Sequence, residues 1–180
     1  RSSDLVEETK LREAKRGYYA GISFMDAQIG KLLKTLEEEG VADKTIIVFC
    51  GDNGYNLGQH GMWKKQALFE HTTRTPLIIS VPGLTNDEGK SSRVVEMLDI
   101  YPTLANLCNL KNIPQDLQGK NLLPLLQNPD AAWDGAAYSV LLRTPNRFIK
   151  YMKKGERALG RTIRTERYRY TEWNDGEKGG

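Results

Sequence analysis

Cysteine and histidine are scarce, with two of each among 180 residues. Cys50 and Cys108 are too few for a disulfide framework, and no CxxC pair is present to suggest a redox or zinc site. Each closes an apolar stretch, so both are expected in the core, and the redox compartment stays open. Long apolar runs are also missing. None approaches the roughly 20 residues that span a bilayer, so no membrane partner is expected. Arg1-Ser2-Ser3-Asp4 leads straight into a charged helical pattern, without the apolar core of a signal peptide. No repeat or low-complexity segment occurs apart from the glycine-rich tail from Gly176 to Gly180. A nucleic-acid partner is not expected either, because no recognised motif or aromatic stacking platform accompanies the basic residues. With 39% hydrophobic and 27% charged residues, the composition fits a soluble globular domain or a piece of a larger one.

What the chain does have is periodicity. Apolar residues from Leu11 through Tyr18, Ile22, Met25 and Ile29 to Leu36 recur at helical spacing, predicting one amphipathic helix over 10–39, closed by Gly40. Gly17 and Gly21, one turn apart on it, are expected to admit a close neighbour. The β-branched run Thr45 to Cys50 and the run Pro76 to Val81 read as buried strands, with a short helix or loop over 66–73 between them. Strand, loop, helix and strand suggest an α/β fold with a mostly parallel sheet flanked by helices. Val94 to Leu107 begins extended and turns helical, with Asp99 as the natural N-cap and Pro102 in the first turn. Residues 136–142 and 162–173 alternate apolar with polar and read as antiparallel strands.

The chemistry gathers where the first strand stops. Gly51-Asp52-Asn53-Gly54 follows it directly, and in open α/β sheets ligands collect at the carboxyl ends of strands. Asp52 and Asn53 offer hard oxygens suited to Ca²⁺ or Mg²⁺, although D-N-G is equally a turn whose side chains bond their own backbone. The same span then supplies His60, able to carry a proton, and Lys64 and Lys65, able to neutralise an oxyanion. Arg74 lies close enough to reach the site, or to serve as a structural ion pair.

The pattern D-N-G-x-x-x-G-x-H-G-x-W-x-K, running from Asp52 to Lys65 and followed by Arg74-Thr75-Pro76-Leu77, resembles the sulfatases of the alkaline phosphatase superfamily, and within them the iduronate sulfatase branch. The D-x-x-P-T-L segment at Asp99 to Leu104, the Gly119 to Leu126 connection and the strand-like Arg164 to Tyr170 extend the likeness over about Lys15 to Trp173. It matches only the later portion of such enzymes. The resemblance implies an alkaline phosphatase-like α/β fold, with residues 1–130 the later part of the catalytic domain and 131–180 part of a small antiparallel C-terminal subdomain. It implies Asp52 and Asn53 as ligands of Ca²⁺, with Mg²⁺ less favoured, and Lys65 as the residue contacting a sulfate oxygen. His60 is a further candidate catalytic and substrate-binding residue, Arg74 a substrate-binding one, and Trp63 is expected to pack the loop. Some iduronate sulfatase relatives have His where this chain has Asn53.

The implied activity is hydrolysis of sulfate esters of a sulfated sugar or other small molecule, through a formylglycine made from the cysteine of C-x-P-S-R. No such motif surrounds Cys50 or Cys108, so the nucleophile and the other metal ligands are expected from an N-terminal portion of the same enzyme, and these residues alone are expected to be inactive. Export to periplasm, lysosome or the outside is implied likewise. Two other readings fit the same residues: a phosphodiesterase or phosphonate hydrolase of the superfamily, and a non-catalytic binding or structural module. From Arg143 to Tyr170, ten Lys or Arg face only Glu156 and Glu166. Such a run attracts polyanions such as sulfated polysaccharide, unless it is a solvated face or one that meets acidic segments elsewhere.

Overall fold

The computed structural model describes residues 8–85, 89–143 and 157–174. The helical period becomes α1 (Glu8–Glu38), with its polar side bridged by Arg12–Glu8 at 2.7 Å and Lys34–Glu38 at 3.4 Å. Its apolar side lies open: no α1 residue is buried, and Tyr18, Ile22, Met25 and Leu33 are exposed. Nothing lies within 4 Å of the Cβ positions of Gly17 and Gly21, so the close neighbour expected there is not found among the described residues. Tyr18 meets Tyr55, ring centroids 5.1 Å apart, and so ties α1 to the loop after the first strand.

That strand is β1 (Ile47–Cys50). The short strands β2 (Asn56–Leu57) and β3 (Trp63–Lys64), one turn of helix α2 (Glu70–Thr73) and β4 (Leu77–Ser80) follow. β1 and β4 pair antiparallel, Ile47 opposite Ser80 and Cys50 opposite Leu77. Element order led to a parallel arrangement being expected of these two strands, and for this pair the structure corrects it. A parallel return needs a crossover of about a dozen residues or more, usually a helix. Here a small hairpin and a four-residue α2 fill the connection, and the chain comes back alongside itself. Every sheet among the described residues is antiparallel. Cys50 and Cys108 are both exposed rather than in the core, Cys50 as the open end of β1 and Cys108 just past a helix end.

Downstream, a 3-10 turn over Met97–Asp99 enters α3 (Ile100–Leu107). Asp99 takes the N-cap position of α3 as expected, but its side chain serves the turn before it, in a capping box with Glu96: Asp99 Oδ2 accepts the Glu96 N–H at 2.8 Å. Asp99 Oδ1 also accepts the Lys120 N–H at 2.6 Å. The fully buried Thr103 donates to the Asp99 carbonyl at 2.5 Å and accepts the Leu122 N–H at 2.8 Å. The D-x-x-P-T-L segment is thus a dock for residues 119–122. Gly119 lies so close that a Cβ would run into the Leu98 carbonyl and come within 2.9 Å of the Asp99 nitrogen. Backbone atoms cannot swing aside as side chains do. In the full-length protein Gly119→Ala is expected to cost about 1–3 kcal/mol, the usual cost of overpacking, read as a lower thermal midpoint. A midpoint equal to wild type would show that the turn can yield.

Beyond α4 (Leu123–Gln127), strands β5 (Ala137–Arg143), β6 (Ala158–Arg164) and β7 (Arg169–Trp173) form an antiparallel sheet in chain order, Ser139 opposite Thr162 and Thr162 opposite Thr171. The stretch 164–170, expected as part of a strand, is a hairpin. Thr165 and Tyr168 close it, the Thr165 N–H donating to the Tyr168 carbonyl at 2.8 Å and the Tyr168 N–H to Thr165 Oγ1 at 3.1 Å. The sheet meets the segment before α2, where Gly160 lies against the buried Leu68. Residues 144–156 of the basic run, the glycine-rich tail and Arg1 to Asp4 lie outside the described residues.

Candidate active site

β1 stops where the Gly51 N–H donates to the Pro76 carbonyl at 3.1 Å, and the next residues leave the sheet. Gly54 fixes how they leave. Its N–H donates to the Thr72 carbonyl at 3.0 Å, and a Cβ there would run into the His71 carbonyl and sit 2.9 Å from that of Arg74. Only bare backbone presses Asp52 and Asn53 so closely onto α2. The loop then doubles back through β2 and β3, with His60 at φ 54° and Lys64 at φ 71° taking left-handed backbone in the turn and just after it. The Leu57 N–H donates to Gln59 Oε1 at 2.6 Å. The Trp63 ring lies 3.8 Å from the Cβ position of Gly58, packing the loop as expected.

The doubling back brings the two ends of the loop to one cleft of about 260 Å³, lined by Asp52, Asn53 and Lys65 with Thr73, Met97 and Ser139 among others. An aspartate, an asparagine and a lysine therefore share one concave surface. His60 is not part of its lining. Its ring stacks on Phe69, centroids 4.1 Å apart at 15°, with His71 edge-on at 6.0 Å. Arg74 does not line the cleft either.

Among the described residues, Glu70 at the start of α2 is the ionisable group most altered by its surroundings. Burial alone would raise its pKa. The hydrogen bond and charge of Arg169, together with the charges of Arg164 and Arg74, outweigh burial and hold the carboxyl below its ordinary value. The folded state therefore binds this proton more weakly than the unfolded chain. The resulting stability is present above the ordinary carboxylate range and is lost as pH falls through the lowered value. In full-length protein, Glu70→Gln is expected to flatten the acid side of the curve of thermal midpoint against pH; an unchanged curve would refute the assignment.

Asp52 and Asn53 are adjacent hard-oxygen donors facing the cleft, a donor set that fits a divalent cation. They fit it in part. Calcium takes about six to eight oxygens, and among the described residues no group of three or more His, Cys, Asp or Glu could hold a metal. The sequence pattern missed Glu70, Arg164 and Arg169, which hold the loop from behind, and Ser139, which comes to the cleft from β5. Nothing local marks them, since each acts across a long sequence separation.

A family model described as Sulfatase matches residues 2–110, and one described as N-sulphoglucosamine sulphohydrolase, C-terminal, matches residues 58–178. The chain is 30% identical to iduronate 2-sulfatase of Homo sapiens over 90% of its own length and 38% of that protein's. Among solved structures it is similar to a protein in complex with its substrate D-glucosamine-2-N,6-O-disulfate, at 32% identity and TM-score 0.81 over 98% of this chain and 36% of the other. It is also similar to the phosphonate monoester hydrolase of Agrobacterium radiobacter, at 27% identity and TM-score 0.77 over 96% of this chain and 36% of the other. The chain spans between about a quarter and two-fifths of the length of the curated relatives it matches.

Proposed function

The chain belongs to the sulfatase family, and from that premise we propose that it is the later part of an exported enzyme that hydrolyses sulfate esters of a sulfated sugar. The observation that carries the reading is the convergence of Asp52, Asn53 and Lys65 on one cleft. A sulfate ester is an anion whose oxygens gain charge as its S–O bond breaks, and preorganised positive charge at those oxygens lowers the barrier. Lys65 supplies an ammonium. In a site closed around the ester, at about 4 Å and an effective dielectric near 20, it would be worth roughly 4 kcal/mol to one oxygen. Asp52 and Asn53 would hold Ca²⁺, which when bound neutralises and polarises the ester oxygens. The Asp52 carboxylate offsets part of that ion's charge. The formylglycine nucleophile and the remaining ligands come, on this reading, from an N-terminal portion of the same enzyme. His60 steadies the loop through Phe69, and Arg74 adds its charge beside Glu70. The sugar class is supported by the solved relative bound to a glucosamine disulfate.

The likeness to a phosphonate monoester hydrolase favours a second reading, since the same donors serve phosphoryl oxygens. Full-length protein assayed on matched aryl sulfate and aryl phosphonate esters decides between them. Faster sulfate turnover is expected; faster phosphonate turnover would reverse the order, and no turnover of either would leave the non-catalytic module.

A further inference from the structure

The segment that carries Lys65 has little structure of its own. β3 ends at Lys64, α2 begins at Glu70, and the residues between form neither helix nor strand. Its position is set by the burial of Ala67 and Leu68, by the Thr72 hydroxyl, which lies 2.8 Å from the Ala67 carbonyl and 2.9 Å from that of Phe69, and by one side chain from the far end of the chain. Arg169, the first residue of β7, donates from Nη2 to Glu70 Oε2 at 2.6 Å, and from Nη1 to the Leu68 carbonyl at 3.4 Å and to Thr162 Oγ1 at 3.2 Å. Its side chain is 19% exposed. Arg164, its register partner on β6, adds a second guanidinium with Nε 3.4 Å from the same Glu70 oxygen. The planar fork of arginine grips a carboxylate and a backbone carbonyl at once, which an ammonium on a flexible stem does not. The Leu68 carbonyl and the Glu70 carboxylate lie shortly after Lys65, and the Lys65 carbonyl itself accepts the Ala67 N–H at 2.9 Å.

We propose that Arg169, through Glu70 and the Leu68 carbonyl, is a positioning residue that holds Lys65 on the cleft, so that the β6–β7 hairpin tunes a site to which it contributes no reacting group. The inference rests on the reading of Lys65 as the sulfate-binding ammonium. A second tie on the same hairpin supplies the control. Arg93 Nη1 pairs with Glu166 Oε1 at 2.7 Å and its other nitrogens donate to the carbonyls of Ala131 and Asp130, away from the Lys65 segment. Both arginines anchor the hairpin, but only Arg169 reaches the loop.

The experiment uses full-length protein and the variants Arg169→Met, Arg169→Lys and Arg93→Met, with turnover of an aryl sulfate given per folded molecule. A displaced catalytic group costs on the order of 100-fold in rate, so Arg169→Met is expected to lose about that much, mainly in kcat. Arg169→Lys is expected to recover only part, and Arg93→Met to lower the melting temperature without slowing turnover. A second measurement needs no substrate: amide hydrogen exchange over residues 61–69 is expected to quicken in Arg169→Met and not in Arg93→Met. Equal turnover in wild type and Arg169→Met, or equal exchange over 61–69 in Arg169→Met and Arg93→Met, would overturn the proposal. If wild type turns over no aryl sulfate, the functional reading falls, while the exchange comparison still decides whether Arg169 holds the loop.

Discussion

Replacing Lys65 with methionine in the full-length enzyme is expected to lower kcat/KM for a sulfate ester about 100- to 1000-fold, the usual cost of removing one preorganised donor to a developing oxyanion. The magnitude tests the setting as well as the residue. Lys65 is exposed in the described residues, and an ammonium in open water contributes about 0–1 kcal/mol to an ion pair, which is less than tenfold in rate. The larger loss requires a site closed around the ester, where water no longer screens the charge. Lys64 is the internal control. It is the adjacent residue, equally cationic and exposed, but it pairs within the β2–β3 hairpin and does not line the cleft. Lys64→Met is therefore expected to leave turnover near wild type. Equal losses in the two variants would mean that general positive potential attracts the substrate and that no particular ammonium meets a sulfate oxygen; such an effect would also fade with added salt.

The loop could be read from sequence because its determinants are local. A β-branched strand that stops at Asp52-Asn53, glycines at 54, 58 and 61, and lysines beyond them specify strand and then loop within one short span, although not the small β2–β3 hairpin inside it. The antiparallel return of β4 was not legible, because strand direction depends on how far the intervening chain travels and a four-residue helix travels little. The apolar period of α1 foretold the helix but not its open face, since a hydrophobic stripe declares a need for a partner without naming one. The alternating pattern of 162–173 hid a hairpin for a related reason. Thr165 and Tyr168 carry no glycine, proline or asparagine signal, and the turn is closed by a threonine hydroxyl together with the backbone pair.

The site divides along the same line. Lys65, Asp52 and Asn53 were legible as candidates because they follow one another in the loop, and the structure places them on one cleft. His60 read equally well from its chemistry, yet its left-handed backbone turns the ring onto Phe69. Glu70 and Arg169, about a hundred residues apart, could not be paired by any periodicity, because their contact exists only once the β6–β7 hairpin has packed on Leu68.

Asp52→Ala is expected to have an effect at least as large as Lys65→Met, and a readout besides turnover shows why. A ligand that binds only the folded state stabilises it by about 2.7 kcal/mol at a hundred times its Kd. If Asp52 and Asn53 form part of a calcium site, added Ca²⁺ raises the thermal midpoint of the full-length protein by several degrees and a chelator reverses the rise. Asp52→Ala removes a charged oxygen donor and is expected to abolish the calcium response together with activity. Asp52→Asn keeps an oxygen but not the charge, and since calcium affinity depends on the number of charged ligands, its response is expected to require more calcium. Asn53→Ala removes a neutral donor and is expected to fall between wild type and Asp52→Ala. A calcium response that survives in Asp52→Ala would place the ion elsewhere. Asp52 and Asn53 would then be a turn pressed against α2 by Gly54, and the ammonium of Lys65 would be the site's remaining claim on a sulfate.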